Sequence, residues 1–170
     1  MSSVEDALGA ALRPALGRPL LRAVYWCLHG ETDGTDLDSA DFYLGGEVEL
    51  HFSDTKPIAL TWAENAGWED HFSLQVRLSS AFKPDTLTAF DASSLSIWKP
   101  VCGSVLNEIS VLGWEQTPHV ARLDFSSGCV LVGTSYQTKF GGGDDVLIQR
   151  FSEAAIDGAE TLWTLGLHSD

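Results

Sequence analysis

Apolar and polar residues alternate along much of this chain, the pattern of strands with one buried face. Val48-Glu49-Leu50-His51-Phe52-Ser53 alternates cleanly, a turn at Asp54-Thr55-Lys56-Pro57 follows, and Ile58-Ala59-Leu60-Thr61-Trp62 completes a hairpin. Phe72-Ser73-Leu74-Gln75-Val76-Arg77-Leu78 alternates again. Arg22–Leu28, rich in aromatic and apolar residues, reads as a buried strand. In the second half, Val105–Leu112 is a strand, Val120–Phe125 and Cys129–Tyr136 form a hairpin, and Asp145–Phe151 is a further strand.

Helical signals are fewer. Ser3-Val4-Glu5-Asp6 resembles a capping box ahead of Ala7-Leu8 and Ala10-Ala11-Leu12, giving a short helix that ends before Pro14. Ser152-Glu153-Ala154-Ala155-Ile156 starts another, which Gly158 limits. Asp91–Pro100 fits either a short helix or an extended segment. The expectation is one α+β domain over residues 1–170. It has mainly antiparallel sheet, with about eight or nine strands and about two or three short helices.

The halves echo one another. Leu50-His51-Phe52-Ser53 matches Leu123-Asp124-Phe125-Ser126, and Gly17-Arg18-Pro19-Leu20 matches Gly103-Ser104-Val105-Leu106. A strand-plus-hairpin unit repeated over about residues 17–62 and 103–136 accounts for both matches; chance recurrence of so short a motif is the alternative.

Composition narrows the partners. Hydrophobic residues make up 44% and charged residues 20%, so the chain can bury a core and is not a disordered one. Asp and Glu total 24 against 10 Lys and Arg, a formal charge of −14. Nucleic acid and anionic membrane are therefore unfavourable partners, and a basic protein is a favourable one. The start of the chain has no basic, apolar leader, and no apolar run approaches the roughly 20 residues that span a bilayer, so a cytoplasmic protein is expected. Cys27, Cys102 and Cys129 lack paired spacing and read as buried free thiols.

Candidate chemistry is sparse, and no cofactor is implied. Gly141-Gly142-Gly143-Asp144-Asp145 lacks the lysine of a phosphate loop, and its carboxylates repel phosphate. It is a solvated turn or, in a small hydrolase, the source of Asp144 or Asp145 as catalytic carboxylate. The histidines are scattered; His51 shares the polar face of its strand and faces either Asp54 or Glu49. The loop from Glu31 to Asp41 carries Asp33, Asp36, Asp38 and Asp41 without the order of a calcium loop, so no metal site is expected there. With Trp68, Glu69 and Asp70 of a second polar loop, these acids are the candidate partner-binding residues, Trp68 supplying a desolvated anchor.

From Gly103-Ser104-Val105-Leu106 through Pro118–Phe125 to Gly143–Ile148, the chain resembles small bacterial immunity-type proteins of polymorphic or contact-delivered toxin systems. The resemblance implies a non-catalytic protein that neutralises a toxin by covering its active surface. A hydrolase and a structural module that oligomerises through a sheet edge are the other classes the sequence allows.

Overall fold

The computed structural model describes residues 4–32, 36–38, 41–64, 72–79, 85–134 and 145–167. Among the described residues, eleven strands follow a single α-helix: α1 (Val4–Leu12), then β1 (Leu20–Leu28), β2 (Asp41–Leu44), β3 (Glu47–Phe52), β4 (Ile58–Glu64), β5 (Phe72–Leu78) and β6 (Leu87–Asp91). The second half holds β7 (Leu106–Trp114), β8 (Thr117–Phe125), β9 (Gly128–Thr134), β10 (Val146–Arg150) and β11 (Glu160–Gly166). They form two antiparallel sheets, β5-β4-β3-β1-β6 and β11-β7-β8-β9-β10-β2.

This overturns the α+β expectation of eight or nine strands with two or three helices. The segment after Ser152 makes only a four-residue 3-10 turn, Glu153–Ile156. Ser152 caps it by accepting from the Ala155 N–H at 3.2 Å, but Gly158 at φ 72° turns the chain away before a helix can propagate. Of Asp91–Pro100, Asp91 closes β6 and the rest settles into successive turns, with Trp98 N–H donating to Leu95 O and Val101 N–H to Trp98 O. The additional strands are β2, β6 and β11. In β11 a bulge between Thr161 and Trp163 breaks the alternation that would have announced a strand.

Alternation decides the packing. Ala23, Tyr25 and Cys27 of β1, Val48, Leu50 and Phe52 of β3, and Ala121, Leu123 and Phe125 of β8 all enter one core shared by the two sheets. Phe52 and Phe125, each within the L-x-F-S motif of its half, stack across that core with ring centroids 6.4 Å apart. Leu8 and Leu12 of α1, Ala15 after it, and Trp98 and Val101 of the turn segment are buried in the same core.

The two sheets share one order. In chain sequence, β1, β3, β4, β5 and β6 are arranged as β7, β8, β9, β10 and β11 are, and β2 is the strand without a counterpart. The halves join at an antiparallel bridge between Pro19 and Val105. The bonds around it come in reciprocal pairs. Gly17 N–H donates to Leu106 O at 2.8 Å and Gly103 N–H to Leu20 O at 2.7 Å; Leu20 N–H reaches Ser104 O and Leu106 N–H reaches Arg18 O. Gly17 and Gly103 both hold positive φ, 74° and 83°, a conformation that suits glycine at each entry to the bridge.

Candidate functional site

The first half departs from the second between β1 and β3. β7 passes to β8 through Glu115 and Gln116, both at positive φ (53° and 63°), a tight primed turn. β1 instead runs into a long acidic insertion that includes β2 and returns through Gly45 and Gly46. Glu31 ties the neck of this insertion: its carboxylate accepts from Leu28 N–H at 2.7 Å and from Gly45 N–H at 2.6 Å. Gly46 passes so close to β1 that a Cβ there would lie 1.8 Å from the Trp26 carbonyl oxygen.

Beyond the neck, Asp36 accepts from the Asp38 N–H at 3.1 Å, and Asp38 accepts from the Ser96 N–H at 2.5 Å. The hydrogen bonds from Ser96, helped by the charge of Arg150, hold the Asp38 carboxyl below its ordinary range. β2 then crosses to the other sheet and pairs with β10, Phe42 opposite Ile148 and Tyr43 opposite Leu147. The insertion is thus fixed at its neck, at Asp38 and along β2.

Of the acids expected to meet a partner, the structure brings Asp36 and Asp38 together, both exposed. The backbone of Asp41 pairs with Gln149 at the start of β2, and its side chain lies outside the described residues. Asp33, and Trp68, Glu69 and Asp70 between β4 and β5, also lie outside them, as does Asp144. Asp145 is half-buried just before β10.

Sequence reasoning offered the Glu49–His51 contact but missed the rest of a second feature, a buried polar cluster on the outer face of the β1-containing sheet. Glu47, Glu49 and His51 alternate with the core residues of β3 and so point away from the core. Glu47 is only 1% exposed, yet it faces the Arg77 guanidinium of β5 at 2.5 Å. Glu49 meets His51 Nε2 through one oxygen at 2.7 Å and accepts from the Ser79 hydroxyl through the other. The alternation made His51–Glu49 legible, whereas nothing local signals Arg77 or Ser79, two strands away.

This cluster does not make a nucleophilic relay. A serine relay needs the imidazole between hydroxyl and carboxylate; here Glu49 stands between Ser79 and His51. The matching positions of β8 hold Arg122 and Asp124, joined by two hydrogen bonds of 2.8 and 3.0 Å, with the Arg122 guanidinium 4.2 Å from the centre of the Phe151 ring. Burial, reinforced by Asp124, pushes the nearby Cys129 thiol up to about 12.

Among the described residues, no group of three or more His, Cys, Asp or Glu is placed to hold a metal ion, and no helix is long and apolar enough to cross a membrane. Comparison of the chain with protein-family models, with curated proteins and with solved structures finds no match.

Proposed function

We propose that the protein is a non-catalytic acidic binding protein that covers the functional surface of a basic protein partner, in the manner of an immunity-type inhibitor of a toxin. The observation that carries this reading is the anchoring of the acidic insertion. Asp38 is pinned to Ser96 while it and Asp36 remain exposed. A charged loop held on a sheet scaffold meets a partner with little ordering cost, which favours affinity as well as steering. The formal charge of −14 supplies the long-range attraction to a basic surface.

The test begins with the neighbouring gene: a basic, toxin-like product there is the partner to use, and a metabolic operon in its place counts against the inhibitor reading. Association is followed by stopped flow for the wild type and for the variant Asp33→Asn/Asp36→Asn/Asp38→Asn/Asp41→Asn. The expected result is an association rate about tenfold lower at low salt, with a flatter salt dependence. An unchanged rate and an unchanged salt slope reject the insertion as the partner-binding element. Cells that die of the toxin despite co-expression of the wild-type chain reject the inhibitor reading itself.

A further inference from the structure

Beside the anchored acids lies a cavity of about 280 Å³, lined by Ser96, Ile97, Pro100, Val101, Gly128, Cys129, Arg150 and Phe151. It sits where the turn segment before β7 meets the β8–β9 hairpin and the end of β10. Ile97 and Val101 are buried beneath it, and Phe151 is a partly exposed wall. The walls are fixed by polar bonds: the Ser127 hydroxyl donates to Pro100 O at 2.6 Å, and Phe151 lies under the Arg122 guanidinium, itself held by Asp124.

Two observations define an occupant. At about 280 Å³ the cavity lies at the small end of the roughly 300–1,000 Å³ usual for ligand pockets, with room for one large side chain. Its rim is continuous with the acids, because Ser96 both lines the cavity and donates its N–H to Asp38. We infer that this cavity receives one aromatic or aliphatic side chain of the basic partner, from a segment whose flanking Lys or Arg residues meet Asp36 and Asp38. Arg150, an exposed lining residue, offers its N–H donors to a main-chain carbonyl of that segment, and its charge is answered by Asp38. A desolvated apolar anchor ringed by charge is how such interfaces concentrate their binding energy. The inference rests on the preceding proposal and adds to it the chemistry of the bound segment.

The experiment titrates the isotope-labelled protein with acetyl-Lys-Phe-Lys-amide, acetyl-Lys-Ala-Lys-amide, acetyl-Glu-Phe-Glu-amide and sodium benzoate, following the amide resonances of Ser96, Val101, Cys129 and Arg150. The expected result is saturable binding of the first peptide, about tenfold tighter than either of the other two peptides. Gly128→Leu fills the cavity, since a Cβ at Gly128 stands in ordinary contact with Val101 at 3.5 Å, and Phe151→Ala removes a wall. Binding is expected to disappear in both, with their circular dichroism unchanged. Equal affinity for the Phe and Ala peptides overturns the anchor, and equal affinity for the Lys and Glu peptides overturns the basic segment. Benzoate acting on the same resonances at lower concentration than the Lys-Phe-Lys peptide replaces the proposal with an aromatic-acid site. If the cavity variants bind the full partner as the wild type does while the four-Asn variant is impaired, this inference fails and the proposed function stands.

Discussion

The indole N–H of Trp98 donates to the phenol oxygen of Tyr25 across 2.7 Å in the centre of the core. Tyr25 also stacks on Phe42 with centroids 5.3 Å apart, so one ring ties β1, β2 and the turn segment together. Burial drives the Tyr25 phenol well above its ordinary value, keeping it neutral across the physiological range. Tyr25→Phe keeps the stacking and leaves the Trp98 N–H buried without its acceptor. It is expected to lower stability by about 1–3 kcal/mol, read as a lower urea midpoint at unchanged slope.

Arg77 and Glu47 provide a second test. The carboxylate of Glu47 is buried while the Arg77 side chain is 55% exposed, so water screens one partner and not the other. Arg77→Ala leaves a buried carboxylate short of its guanidinium and is expected to destabilise by about 1–3 kcal/mol in urea unfolding. Arg77→Lys restores charge without the planar fork and is expected to recover only part of the loss.

Two glycines separate steric from conformational cost. A methyl group on Gly103 meets nothing within 4 Å, so Gly103→Ala is penalised only for its positive φ, by about 1–2 kcal/mol. Gly46→Ala drives a carbon into the Trp26 carbonyl and must displace β1 or the insertion neck. Its thermal midpoint is expected to fall well below that of Gly103→Ala, and a similar midpoint for the two would contradict the close approach.

The thiols give a pH prediction. Burial, with Glu31 adding to it, raises Cys27 to about 11, and burial with Asp124 raises Cys129 to about 12. An unfolded thiol ionises near 8.5. Between that value and the folded values the unfolded chain holds fewer protons, so these groups contribute stability below about pH 8.5 that is lost as pH rises toward 11 and 12. At pH 8 both cysteines are expected to react with iodoacetamide at least about a hundredfold more slowly than free cysteine, measured by mass spectrometry.

The parts of the fold legible in the sequence were those where one face is apolar and the other polar. Val48–Ser53 and Phe72–Leu78 alternate because their outer residues meet polar neighbours, and β3 and β5 fall there. β2 was hidden because it sits inside a polar insertion and is stabilised by pairing with β10, a partner far along the chain. The outer-face cluster was half legible for the same reason. Glu49 and His51 are near neighbours in one strand, but the burial of Glu47 depends on surroundings that include Arg77, brought in by sheet register. The acidic loop was visible as composition; its attachment to Ser96 was not.

The excursion of β2 has a further consequence. This strand is encoded in the amino-terminal half but completes the margin of the sheet built by the carboxy-terminal half. A chain cut between β6 and β7 therefore yields two fragments that each lack something only the other can give. Expressed singly they are expected to aggregate along the uncovered margin, and mixed they are expected to reassemble, as size-exclusion chromatography would register. The protein is built as an embrace, and neither arm closes alone.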